Sequence, residues 1–155
     1  MRFSLIILGA VLSLTVLAAP EIKEPEAVHL TAAGMEQAFG SIPTEPPTNK
    51  TIIDEKHYQL AVARVAGRAG PVELHRDSDR IFFVKNGRAR LRIGGTLANG
   101  REIAPGEWRD AAGSSYRDYR TETMTAGSVI SVPRGIPYQI IARDGDVSFT
   151  VIRIK

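Results

Sequence analysis

From Ile81 to Ile93 the chain reads Ile-Phe-Phe-Val-Lys-Asn-Gly-Arg-Ala-Arg-Leu-Arg-Ile: an apolar run, an Asn-Gly pair, then strict alternation. Both central residues of a type I′ turn need positive φ, and Asn and Gly adopt it at little cost, so Asn86-Gly87 predicts a tight hairpin between two strands. Beyond it, Ala89, Leu91 and Ile93 share one face and Arg88, Arg90 and Arg92 the other. Side chains on a strand alternate with period two, so this segment buries one side only. The rest of the chain repeats the theme. Strand signal starts at His57, with Tyr58, Leu60 and Val62 on one side, and Gly67 and Gly70-Pro71 mark a turn. Later come Ser128 to Val132, a Pro133-to-Pro137 turn, Tyr138 to Ala142, a second hairpin signal at Asp144-Gly145, and Val147 to Ile154. Short strands punctuated by Gly, Pro and Asp predict an all-β antiparallel barrel or jelly roll.

A chain of 155 residues supports one domain with a substantial core. Arg2 followed by an apolar and small-residue run from Leu5 to Leu17, with Val16-Leu17-Ala18 before the cut, predicts a secretory signal peptide over residues 1–18. The run is about 15 residues, short of the roughly 20 that span a bilayer, so no membrane association is expected after cleavage. The product is exported, to the periplasm or the medium. Residues 19–50 form a Pro-, Glu- and Thr-rich arm with one helical patch, Ala32 to Phe39, capped by Thr31 and ended by Gly40. The barrel domain takes residues 51–155, interrupted at about 98–125 by a polar insertion predicted to be one long loop with a short strand. Trp108, Tyr116 and Tyr119 are its aromatics; Trp108 is expected to pin the loop to the barrel. The absence of cysteine excludes disulfides, thiolate metal sites and cysteine nucleophiles. A net charge of only +3, with no Lys/Arg block, gives no reason to expect nucleic acid as a partner.

The order of Gly70, His75, Asp77, Arg80 and Gly87 resembles the first motif of the cupins, G-x5-H-x-H-x3-4-E-x6-G. Gly127, Pro133, Gly135 and Tyr138 resemble the second, G-x5-P-x-G-x2-H-x3-N, with spacing kept through position 138. Gly94-Gly95-Thr96-Leu97 is similar to a segment that precedes a polar insertion in a subgroup of small bacterial and fungal cupins. The resemblance covers roughly residues 57 to 154. It implies a cupin-type double-stranded β-helix, and a homodimer formed by sheet packing or strand exchange. In metal-binding cupins the two motifs supply three histidines and a glutamate; here the matching positions are His75, Asp77, Arg80 and Tyr138. Arginine is cationic and has no lone pair for a metal, so the usual metal site is not carried over.

The resemblance places His75, Asp77, Arg80 and Tyr138 together in the barrel mouth. The first functional expectation is a metal-free binding protein, with no cofactor, in which the Arg80 guanidinium takes the place of the ion and holds an anionic, carboxylate or sugar-like ligand, aided by Tyr138. Asp77 would hold Arg80 in place or neutralise it. The alternative is an enzyme. A metal-dependent oxygenase or isomerase would bind manganese, iron, nickel or zinc through His75, Asp77 and Asp79. A metal-free epimerase or isomerase would use His75 as base, oriented by Asp77, with Tyr138 as acid. A third class is an assembly protein built on the dimer.

Overall fold

A computed structural model describes residues 27–45 and 48–155; the leader read from residues 1–18 lies outside them. A helix, α1 (Ala32–Gly40), precedes ten strands: β1 (Asn49–Asp54), β2 (Tyr58–His75), β3 (Asp79–Ile93), β4 (Thr96–Leu97), β5 (Arg101–Ala104), β6 (Glu107–Asp110), β7 (Tyr116–Arg117), β8 (Arg120–Thr125), β9 (Val129–Val132) and β10 (Tyr138–Ile154). The Thr31 hydroxyl accepts from the Gly34 N–H at 3.1 Å, the cap the sequence predicts. The main sheet runs β5-β6-β2-β10-β3-β8, with β1 added on β2 and β9 on β3, and every pairing is antiparallel. Among the described residues no helix is long and apolar enough to cross a membrane.

The hairpin predicted at Asn86-Gly87 does not form. β3 runs unbroken through it, and β10 runs unbroken through Asp144-Gly145. Gly87 has φ 81°, the freedom expected of it, but uses it for a bulge: the β3–β10 register skips Lys85, and a Cβ on Gly87 would lie 2.0 Å from the Asp146 carbonyl oxygen. One extra residue in a strand reverses the facing of everything beyond it. The buried positions accordingly change parity, from Arg80, Phe82 and Val84 to Ala89, Leu91 and Ile93. β10 makes the same change, from Tyr138, Ile140 and Ala142 to Val147 and Phe149. Gly67 (φ 61°) in β2 lies between the residues paired with Ala142 and Asp146, so three neighbouring strands bend at one level. Bends of this kind let a strand pass from one sheet of a sandwich to the other. The sequence signals marked corners within strands where they were expected to mark turns between them.

The corner folds the sheet over its core. Tyr138 pairs with Ile93 at the far end of β3, yet its ring centroid lies 5.5 Å from that of Phe82, edge to face. Phe82 packs in the same manner on Phe149 at 5.4 Å. Phe82, Val84, Leu91, Ile93, Met124, Val132, Val147 and Phe149 are the buried centre. The insertion is also more ordered than one loop. β5 and β6 form a hairpin, with Gly106 (φ 75°) in its turn, and β6 lies along β2 from Val72 to His75. Leu74 pairs with Trp108, whose ring lies 4.4 Å beneath the Arg76 guanidinium, so Trp108 ties the insertion to the barrel wall. Tyr116 is buried and donates to the Pro137 carbonyl at 3.0 Å.

Candidate functional site

The ends of β2, β3, β6 and β10 meet at one end of the fold. Alternation along β2 sends Glu73 and His75 to the same side, and Tyr138 lies directly across from Glu73 in the β2–β10 ladder. Arg80 and Arg153 face each other across β3 and β10, and Glu107 lies opposite His75 on β6. Of the residues singled out from the sequence, the fold brings His75, Arg80 and Tyr138 together, at 7%, 8% and 5% exposure. It does not bring in Asp77 or Asp79. β2 ends at His75 and residues 76–78 form a bend, so the two-residue alternation invoked for Asp77 stops before reaching it. Asp77 is exposed, with its carboxylate packed against Gly106. Asp79 accepts from the Arg134 backbone N–H at 2.8 Å and from its Nη2 at 3.0 Å, which fastens the Pro133-to-Pro137 turn beside the site. Its carboxyl is held below the usual range by these bonds from Arg134.

The hydrogen bonds in the cluster have one direction. The Arg80 guanidinium, which can only donate, reaches Ser78 Oγ at 2.9 Å and His75 Nδ1 at 3.0 Å. Nδ1 is therefore the accepting nitrogen, and the neutral ring carries its proton on Nε2, an assignment made from the bonding partners. Nε2 lies 3.3 Å from the Tyr138 hydroxyl, which donates to Glu73 Oε2 at 2.7 Å. Arg109 Nη2 donates to the other oxygen, Glu73 Oε1, at 2.9 Å. Burial by itself would raise the Glu73 carboxyl, but the nearby His75 ring, 3.6 Å away, the hydrogen bond from Tyr138 and the charge of Arg109 outweigh it and hold it at about 2. Burial, with the Glu73 charge beside it, pushes the Tyr138 hydroxyl well above its ordinary value. Burial also pulls the Arg80 guanidinium down from its ordinary value, and Arg153 adds to this, while Glu107 and Glu73 oppose it. Arg80 remains a cation at neutral pH.

No protein-family model matches the chain, and no curated protein does. Solved structures do. A protein of Bacillus halodurans superposes with TM-score 0.56 at 13% identity, over 86% of this chain and 83% of its own. A cupin-2 domain containing protein from Shewanella frigidimarina gives 0.51 at 18% identity, over 78% and 92%. The cupin domain of Schizosaccharomyces pombe Cnp3 gives 0.50 at 18%, over 69% of this chain and 59% of that one. The chain has the cupin fold.

In that light the first cupin motif has a better register than the one starting at Gly70. Counted from Gly67, it reads glycine, five residues, Glu73, one residue, His75, four residues, Arg80, six residues, Gly87. Every interval is kept, and the four converging side chains become Glu73, His75, Arg80 and Tyr138. Glu73 was open to recognition from the sequence, two residues before His75 on a strand; the choice of Gly70 as the motif's first glycine hid it. Glu107 and Arg153 carry no such signal, because β6 and the end of β10 reach the site only through the folded sheet. As a cradle for a divalent ion this cupin set does not fit. His75 has its nitrogens turned toward opposite partners, Glu73 at 3.6 Å from Nε2 and Glu107 at 3.7 Å from Nδ1, and a guanidinium occupies the Nδ1 lone pair. Among the described residues no three His, Asp or Glu side chains are placed to hold one metal ion.

Proposed function

We propose that this chain is an exported, metal-free cupin that binds a small anionic ligand, a carboxylate or sugar acid, through Arg80. The observation that carries the reading is the pair Arg80 and Arg153, set directly opposite one another by the β3–β10 ladder, the first buried and the second half-buried. Like charges facing each other across a ladder repel, and the repulsion grows as solvent is excluded, so the pair favours an anion beside it, a place that the Glu107 carboxylate takes in this structure. Arg109 stands at the rim; against Arg80, Arg109 and Arg153 the cluster sets only Glu73 and Glu107, leaving one cation in excess. A planar guanidinium presents paired donors that match a carboxylate. Catalysis with His75 as base finds less support: in this arrangement Arg80 takes the Nδ1 lone pair and Nε2 carries the proton. Titrating acetate, succinate and a uronic acid into the protein and into Arg80→Ala by calorimetry tests the reading. Binding to the wild type and at least tenfold weaker binding to the variant is expected; equal affinity removes Arg80 from the role.

We further propose a homodimer, on the outer face of the β2–β10–β3 sheet. Tyr58, Phe83, Val129 and Ile154 are exposed there on an apolar surface, with Phe83 directly opposite Val129. A second copy of the chain would cover these side chains. Light scattering after gel filtration decides it: Phe83→Glu with Val129→Lys should convert a dimer to a monomer, and a monomeric wild type would end the proposal.

A further inference from the structure

The mouth already contains an anion, and it belongs to the chain. Glu107 Oε1 lies 2.6 Å from Arg153 Nη2, 3.7 Å from Arg80 Nη2 and 3.7 Å from His75 Nδ1. One carboxylate oxygen thus faces the two opposed guanidiniums together with the imidazole. Glu107 comes from the insertion, and it is the last residue of the β6–β2 ladder, next to the Gly106 turn. Its backbone is fixed: the pairing with His75 holds it, as does the bond from the Arg76 N–H to the Gly106 carbonyl at 2.7 Å. Only the side chain, held by its ion pairs, would have to move for the place to open. At 16% exposure it lies at the boundary of the mouth, with Arg80 behind it at 9% and Arg153 at 29%.

We infer that Glu107 is a built-in competitor, its carboxylate filling the subsite that an incoming carboxylate must take, so that binding proceeds by exchange of one carboxylate for another. The inference rests on the proposed anion-binding role of Arg80 and names the residue that sets its affinity and selectivity. Exchange leaves the charge of the mouth unchanged, and Arg80 and Arg153 keep a counter-ion throughout. A neutral ligand cannot replace Glu107 without leaving both guanidiniums without a counter-ion, the buried Arg80 above all, which is costly. The site accordingly selects for charge before shape. Competition from a tethered group lowers apparent affinity in proportion to its effective concentration, which for a group held in place is high.

The test uses Glu107→Ala and Glu107→Gln with acetate as the probe, its affinity read by calorimetry and its effect on melting temperature by thermal shift against chloride at matched ionic strength. Glu107→Ala should melt lower than the wild type, recover with acetate, and bind acetate at least tenfold more tightly than the wild type does. Glu107→Gln keeps the side-chain shape without the charge and should show the same direction, so a folding defect in the alanine variant leaves the question answerable. Adding Arg80→Ala to either variant should abolish the gain. Equal acetate binding by the wild type and both variants overturns the competitor role while leaving Arg80 as an anion site. No acetate binding by any of them, with no recovery in melting temperature, overturns the inference and the anion-binding reading together.

Discussion

Glu73→Gln isolates the most strongly perturbed carboxylate of the site. Glu73 takes a hydrogen bond from Tyr138 at 2.7 Å and another from Arg109 at 2.9 Å, and its carboxyl is held at about 2 against an ordinary value of 4.5. A carboxyl depressed in the folded state stabilises the fold above its unfolded value and ceases to do so as pH falls through its folded value. The stability therefore drops between about pH 4.5 and about pH 2. At about 1.4 kcal/mol for each tenfold change in the proton equilibrium, the drop has a ceiling of about 3 kcal/mol. Glu73 is 25% exposed and Arg109 42%, so solvent screening of that partner brings the figure nearer to 2 kcal/mol, by roughly the worth of an exposed pair. Asp79 and Asp110 are also depressed, through bonds from Arg134 and from Ser115 respectively, but they titrate alike in both proteins and cancel in the difference. Urea unfolding at half-unit intervals from pH 7 to pH 2.5 gives that difference directly. The variant should be about 2 kcal/mol less stable at pH 7, and the two curves should converge toward pH 2.5. Parallel curves would mean that Glu73 is not held as an anion by its neighbours, and the directional chain from Arg80 through His75 and Tyr138 to Glu73 would lose its end point.

Three further outcomes follow from the geometry. Phe82→Ala removes a ring that is 2% exposed and packed edge-on against Tyr138 and Phe149, and should cost about 3–5 kcal/mol in chemical denaturation. Gly87→Ala and Gly127→Ala both force alanine into positive φ, at 81° and 85°; a Cβ meets the Asp146 carbonyl at 2.0 Å in the first and nothing within 4 Å in the second. Gly127→Ala should therefore cost about 1 kcal/mol, and Gly87→Ala distinctly more, with equal losses contradicting the close approach at the bulge. The Tyr116 hydroxyl, which burial pushes up to about 12, should stay protonated in an alkaline ultraviolet titration until the fold itself begins to fail. Early ionisation of every tyrosine would show that Tyr116 is not buried in solution.

Much of the fold is legible in the chain because it depends on local chemistry. The alternation of Ala89, Leu91 and Ile93 with arginines needs only the period of a strand to place a buried face, and the cap at Thr31 needs only a hydroxyl three residues before an unpaired N–H. The meeting of His75, Arg80 and Tyr138 is legible only through the resemblance to the two cupin motifs, which implies it. The bends are less so. Asn86-Gly87 announces positive φ at Gly87, and the structure has it, but the same dihedral serves a hairpin and a bulge; only the presence of β10 running alongside decides which. Asp77 stays out of the site because β2 stops at His75, an end that no local signal marks.

By itself the sequence determined a mostly β chain with a capped helix, which follows from side-chain period and capping; the resemblance to the cupin motifs added an arginine where those motifs hold a metal ligand. Tertiary structure alone decided who surrounds that arginine. Arg153, near the end of the chain, and Glu107, in the insertion, come to Arg80 because the last part of β10 pairs with the start of β3 and a hairpin lies along β2. No local signal can encode such a meeting, for the interactions that create it join residues far apart in the chain and exist only once the sheet has folded over its core.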